Sequence, residues 1–327
     1  MTHWYCNRND NLYIKQCQFH YKMITLTKHE LEAFEAICLG RDSTKKMSGT
    51  TSFSSRTAYR LVRSLRQKGL LAEDRASEDR LKPSSSLHSA ALRRYVISRQ
   101  HPPDAISGSK LLMLISVSSR AKSLERVAAE TLLTKGTVRV LAWSLRNLGI
   151  LTVDGDLIRI PRSNMPMTNF LLDFARGANM ALVESKAKEG MVLWSEGLEC
   201  IFSAAALIDP EGANRTAVSA FPDFGLQFIG YTTYYHLAHW RPRLRVEDLA
   251  LHELLIDPQS TLGISYSLLL LRKEGYDPDY LAREAERLGV GDLAKDMITY
   301  LSGIEVDDPQ LPKRSELEDL FREYGVT

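Results

Sequence analysis

The side chains best placed to do chemistry in this sequence form one stripe. Arg56, Arg60, Arg63 and Gln67 are spaced i, i+4, i+7 and i+11. That spacing keeps them on one face of an α-helix. The arginine fork suits bidentate contact with guanine or with phosphate. The chemistry on offer is non-covalent recognition of phosphate or of guanine edges. Ser54, Ser55 and Thr57 stand at the start of the same helix. Hydroxyls there, backed by a helix N-terminus, are suited to phosphate contact. Tyr59 flanks the stripe. The plainer alternative is a solvated basic helix face.

Signals for covalent chemistry are thin. The sequence has no P-loop, GxGxxG, HExxH or GxSxG pattern. Asp277-Pro278-Asp279 has the Asp-x-Asp spacing that holds Mg²⁺ in nucleotidyl transfer. It follows Gly275-Tyr276 and opens a helix, which is capping chemistry. Asp307-Asp308-Pro309 reads as a loop. His236, His239 and His252 are scattered, and His252 sits on an apolar helix where a core role is the simpler reading. No enzymatic activity and no cofactor are expected. At the N-terminus, His3-x2-Cys6-x10-Cys17-x2-His20 presents mirror-image ligand pairs of the type that bind tetrahedral zinc. This is the weak metal candidate. Two readings compete with it: a disordered tail, or natural translation beginning at Met23.

The elements that must hold the arginine stripe are repeated. Residues 57–71 and 137–151 align at an offset of 80, with seven identities: Thr57/Thr137, Leu61/Leu141, Ser64/Ser144, Leu65/Leu145, Arg66/Arg146, Gly69/Gly149 and Leu71/Leu151. Ala58, Leu61, Val62 and Leu65 form an apolar helix face, as do Val138, Leu141, Ala142 and Leu145. Gly69 and Gly149 stand where a helix end needs a positive φ. A helix from Thr27 to Ile37, with Thr27 and Glu30 as a capping box, precedes the first copy. Ser43 to Met47 is a short second helix, and Ser54 or Ser55 caps the third. The second copy has helices at Lys110–Val117 and Ser123–Glu130, then a third capped by Thr134. Residues 150–160 form a hairpin with Asp154-Gly155 as its type I′ turn. The first copy has the longer connection Glu73 to Ser86 in that place.

Three helices followed by a hairpin resemble the winged helix-turn-helix family, in both copies and over about 70 residues each. The resemblance implies that the third helix enters the major groove. On the second copy the equivalent stripe is Gly136, Val140, Trp143 and Asn147, which carries no charge. Lys135, Arg139 and Arg146 lie beside it, within reach of phosphates. An exposed Val/Trp surface more often meets protein. The first copy is therefore expected to read bases. The second is expected to contact the DNA backbone or to form an interface with a protein partner or a second copy. In the first wing, Arg75, Arg80 and Lys82 are suited to phosphate, but Glu73, Asp74, Glu78 and Asp79 would repel it.

The overall charge of +2 conceals this division. Residues 22–186 carry 27 basic and 15 acidic side chains, and residues 187–327 carry 13 basic and 24 acidic. A basic half joined to an acidic half points to nucleic-acid binding by the first. The composition is otherwise that of an ordinary globular protein. It has no run of membrane-spanning length, no leader and no disulfide framework, so a cytoplasmic, non-membrane protein is expected. Met167 to Ser185 forms a connector helix. Strands at 191–195, 198–202 and 231–237 then precede helices at 246–256, 261–273, 279–288, 292–301 and 314–324.

This acidic half loosely resembles the C-terminal domain of AbiEi-type antitoxin regulators of prokaryotes, which are winged-helix proteins with a nucleotidyltransferase-related second domain. The resembling stretches, about 60 residues in all, are Arg245-Val-Glu-Asp-Leu-Ala-Leu-His-Glu-Leu-Leu, then Tyr276-Asp-Pro-Asp-Tyr-Leu-Ala-Arg-Glu-Ala-Glu-Arg-Leu-Gly, then a closing helix ending near Tyr300-Leu301. The tandem winged helices depart from the single one expected in that family. The expected fold is α+β, mostly α. It comprises a tail (1–22), winged helices at 23–100 and 101–166, a connector (167–186) and an acidic α+β domain (187–327) ending in a helical bundle. The expected function is transcription regulation through duplex DNA. An antitoxin-like or other protein-interaction module of a defence or mobile-element system is the alternative, and a nucleotidyltransferase-like enzyme the third reading.

Overall fold

The computed structural model describes residues 21, 23–50, 53–73, 80–98, 101–208, 212–230 and 232–326. The zinc candidate His3, Cys6, Cys17 and His20 lies outside them, as do Asp74, Arg75, Glu78 and Asp79 of the first wing. The chain is α+β and mostly α. It divides into two compact units: Met1–Ser185 with Ser195–Glu199, and Lys186–Trp194 with Cys200–Thr327.

The first unit opens with α1 (Lys28–Cys38), α2 (Thr44–Thr50) and α3 (Ser55–Gln67). Thr27 and Glu30 make the reciprocal capping box of α1. Ala58, Leu61, Val62 and Leu65 of α3 are buried, as their helical spacing requires. One antiparallel bridge, Leu71 to Pro83, stands where the second copy has a hairpin. A helix without counterpart in the sequence reading follows, α4 (Leu87–Ser98). Its sequence mixes small, basic and apolar residues, so its periodicity is weak.

The second copy has α5 (Gly108–Ser116), α6 (Leu124–Thr131) and α7 (Lys135–Asn147), capped in turn by Ser123 and Thr134 where side chains do so. Strands β1 (Lys122–Ser123), β2 (Thr152–Asp154) and β3 (Leu157–Arg159) form an antiparallel sheet in the order β1-β3-β2. The turn differs from expectation by one residue. Asp154 pairs with Leu157, so Gly155-Asp156 are the central residues, not Asp154-Gly155. Of these two only Gly155 has a positive φ, +57°. A glycine in the first central position is the type II′ pattern, and pairing register rather than the dipeptide decided it.

Helix α8 (Met165–Lys186) closes the unit. Tyr95 stacks on Phe170 with centroids 4.3 Å apart, and the His88 ring meets Phe174 edge-on. Gly177 in mid-helix is explained by this packing. A Cβ there would come 2.4 Å from the His88 backbone nitrogen. Both copies, α4 and α8 share one hydrophobic core, which includes Phe34, Leu65, Leu92, Leu145 and Phe174.

The second unit contains β4 (Ala187–Lys188), paired with β7 (Ala206–Leu207). A four-stranded sheet joins β5 (Met191–Glu196), β6 (Glu199–Ala204), β9 (Thr233–Leu237) and β8 (Ala213–Arg215), in that order. The helices α9 (Val246–Ile256), α10 (Thr261–Glu274), α11 (Pro278–Leu288), α12 (Gly291–Leu301) and α13 (Arg314–Glu323) follow. Leu251, Leu254, Leu268, Leu281 and Leu288 are among the residues of their common core. Arg241 bridges Asp248 at 2.7 Å and Glu284 at 2.6 Å within that bundle. Among the described residues no helix is long and apolar enough to cross a membrane.

Candidate nucleic-acid interface

Helix α3 is anchored at both ends before it presents anything to solvent. At its start, Ser54 Oγ accepts from the Thr57 backbone N–H at 3.2 Å and lies 3.0 Å from Thr57 Oγ1. The second copy repeats the arrangement, with Thr134 Oγ1 accepting from Thr137 N–H at 3.1 Å. Ser54 and Thr57 are thus engaged in the cap, and Ser55 is the exposed hydroxyl beside them.

At the far end a buried ionic cluster sets the angle of α3 against α1. Lys68 donates to Glu30 Oε1 at 2.6 Å and to the Thr25 carbonyl at 2.7 Å. Ser64 donates to the same Glu30 oxygen at 2.6 Å. Burial alone would lift the Glu30 carboxyl. The hydrogen bonds from Lys68, Ser64 and the Thr27 backbone outweigh it and hold the group below its ordinary 4.5. His88 Nε2 lies 2.8 Å from the Lys68 carbonyl oxygen, so the ring donates from Nε2. Burial pushes His88 below its ordinary value, which keeps it neutral. One short segment, Ser64 to Gly69, is therefore tied to α1 and α4.

The solvent face of α3 carries the expected stripe. Arg56, Arg60, Arg63 and Gln67 are all exposed, and Tyr59 is 65% exposed. Among the described residues none of these three arginines enters an ion pair. The stripe lines an open groove of about 710 Å³. Three further residues line it that the sequence reading did not assign to the site: Val62 of the core face, Arg66, half-buried, and Glu73, exposed. Arg66 was visible in the sequence as a shared residue of the repeat, three positions after Arg63. Glu73 gave no such signal, because only the folding-back of the chain after Gly69 brings it to the groove.

Other candidates are occupied elsewhere. Arg80 lies 3.4 Å from Asp42, and Lys46 lies 2.6 Å from the same carboxylate. The Lys46 hydrogen bond, with a smaller one from Arg80, holds Asp42 below its ordinary value. Lys82 is exposed.

In the second copy Lys135 pairs with Asp156 of the hairpin turn at 3.6 Å. Arg146 lies over the Trp143 ring, 4.7 Å from its centroid. Arg139 is exposed beside them. Val140 is 69% exposed and Trp143 50%. In the same copy, Glu130 accepts from Lys122 at 2.8 Å, Arg126 at 2.7 Å and Ser116 at 2.7 Å. Burial raises the Glu130 carboxyl, but Lys122 and Arg126 together bring it below its ordinary value.

In the second unit Asp277 of the Asp-x-Asp sequence accepts from Tyr280 N–H at 3.0 Å, as the N-cap of α11. Asp308 accepts from Gln310 N–H in a loop. His252 is buried, with Nδ1 2.6 Å from Thr216 Oγ1, and its ring stacks on His236. Residues 211–326 are similar to a family described as HVO_2833_C, C-terminal. No curated protein and no solved structure matches the chain.

Proposed function

We propose that this chain is a duplex-DNA-binding transcriptional regulator, cytoplasmic, whose first winged helix reads bases through Arg56, Arg60 and Arg63. The observation that carries this reading is the groove along α3. It has exposed guanidinium groups on one side of a helix whose other side is fully buried. Guanidinium forks held on a rigid helix can address guanine edges bidentately, and phosphate contacts supply most of the affinity. Ser55, Arg139 and Arg146 are assigned to the phosphate backbone. The acidic second unit is assigned to partner or dimer contacts, and the chain performs no covalent chemistry in this reading.

A gel shift of the full chain on its own gene's upstream DNA, at two salt concentrations, tests it. Salt-sensitive binding that is lost in Arg60→Ala/Arg63→Ala is expected. Equal behaviour of wild type and variant would overturn the assignment. One observation favours a second reading, an antitoxin-like or other protein-interaction module: the exposed Val140 and Trp143 face of α7. Under that reading Trp143→Ala would abolish partner capture while leaving DNA affinity unchanged.

A further inference from the structure

The groove of α3 contains one feature that simple phosphate attraction does not account for. Glu73 brings a carboxylate into a groove whose other charged lining residues are Arg56, Arg60, Arg63 and Arg66. It is exposed, and among the described residues no ion pair neutralises it. A carboxylate facing phosphates weakens binding to every sequence alike. Facing a base edge, it does something more specific. In the major groove, cytosine presents its N4 amino group as a donor, whereas adenine sets the N7 acceptor beside its N6 donor. A carboxylate is accepted by the first and repelled by the N7 lone pair of the second. Guanine presents acceptors only, and thymine an acceptor and a methyl group. The arginines beside it prefer guanine O6 and N7, so arginines and carboxylate are complementary to the two strands of the same G·C-containing segment.

We propose that Glu73 is a specificity-determining residue of this groove, accepting a hydrogen bond from a cytosine N4 amino group next to guanines contacted by Arg60 and Arg63. The assignment rests on the DNA-binding reading above. The backbone supports a fixed position for it. Ala72 N–H donates to the Lys82 carbonyl at 3.0 Å and Leu71 bridges Pro83, which holds the chain immediately before Glu73.

The test is selection of a randomised duplex library by the full-length wild type, Glu73→Gln and Glu73→Ala, followed by binding of single-base variants of the selected duplex at two salt concentrations. The wild type should select a G·C-rich site with one cytosine position that depends on Glu73. Glu73→Ala should lose about tenfold discrimination at that position alone. Glu73→Gln should switch its preference to adenine, because a carboxamide both accepts from N6 and donates to N7. The guanine positions should be unchanged in both variants. If both variants instead tighten every duplex by a similar factor with no change at any base, Glu73 is only a counter-charge and the inference is wrong. If the wild type selects no duplex and shows no salt-dependent binding, the DNA-binding reading itself fails and this inference falls with it.

Discussion

The two helical copies of the first unit share a skeleton and differ on its surface. In each, a Ser or Thr accepts from the backbone N–H three residues on to start the third helix, and a glycine at positive φ, Gly69 or Gly149, ends it. In each, the inner face is buried. The outer faces have diverged: Arg60 and Arg63 correspond to Val140 and Trp143. The buried carboxylates have diverged as well. Glu30 is held by Lys68 and Ser64 in the first copy, and Glu130 by Lys122, Arg126 and Ser116 in the second. Those positions are not equivalent at the offset of 80. The lesson is that caps, turns and apolar spacing are enough to specify this backbone twice. The solvent face is free to carry different chemistry, and each copy has its own buried ionic cluster.

The comparison breaks most readily at the outer faces. Arg60→Ala/Arg63→Ala should lower affinity for a specific duplex on the order of a hundredfold, as measured by gel shift. Val140→Ser/Trp143→Ala should change it by less than about threefold. A larger loss from the second pair would reverse the roles assigned to the copies. The buried ion cluster tests the skeleton rather than the surface, on the scale of folding stability. Lys68→Met leaves the Glu30 carboxylate buried with its main partner gone, and should cost about 3–5 kcal/mol in denaturant unfolding. Lys122→Met should cost less, because Arg126 still faces Glu130. Equal losses would show that the extra arginine contributes nothing.

Gly177→Ala should destabilise the first unit by about 3 kcal/mol, because backbone of α4 at His88 cannot move aside as a side chain would. A wild-type melting temperature in this variant would contradict the close approach of α8. Smaller again is the response to acid. Glu30 and Glu130 are both held below 4.5, so their contribution is complete above that pH and is lost as pH falls through their lowered values. Glu30→Gln and Glu130→Gln should each flatten the stability profile below pH 4.5, and a profile unchanged in either would place its carboxylate outside the linkage. The smallest effect is on salt dependence. Arg139→Gln should reduce the slope of log K against log salt by about 0.9 if the second copy touches one phosphate there, and by nothing if its face meets only protein.

Much of this was legible before folding. The helices of the second unit coincide closely with their sequence pattern because Gly, Pro and Asp punctuate them: Asp277 with Pro278, Gly289, Gly303. The capping box of α1 and the core face of α3 followed from local rules in the same way. Helix α4 was missed because Leu87–Ser98 has little amphipathic contrast; its burial comes from α1 and α8, which are distant from it in sequence on either side. The hairpin turn was misplaced by one residue because cross-strand register, not the favoured dipeptide, selects the central pair.

By itself the sequence determined which surfaces are charged, where the well-capped helices begin and end, and that the same backbone occurs twice. These are matters of spacing and neighbouring residues, with an interaction range of a turn or two. Tertiary structure decided which charges are available. It buried Lys68 on Glu30, set Arg80 beside Asp42, paired Lys135 with Asp156 and left Arg56, Arg60 and Arg63 in the open groove with Glu73. The physical reason is that ion pairing depends on distance through space, and distances between residues far apart in the chain exist only once the core has formed.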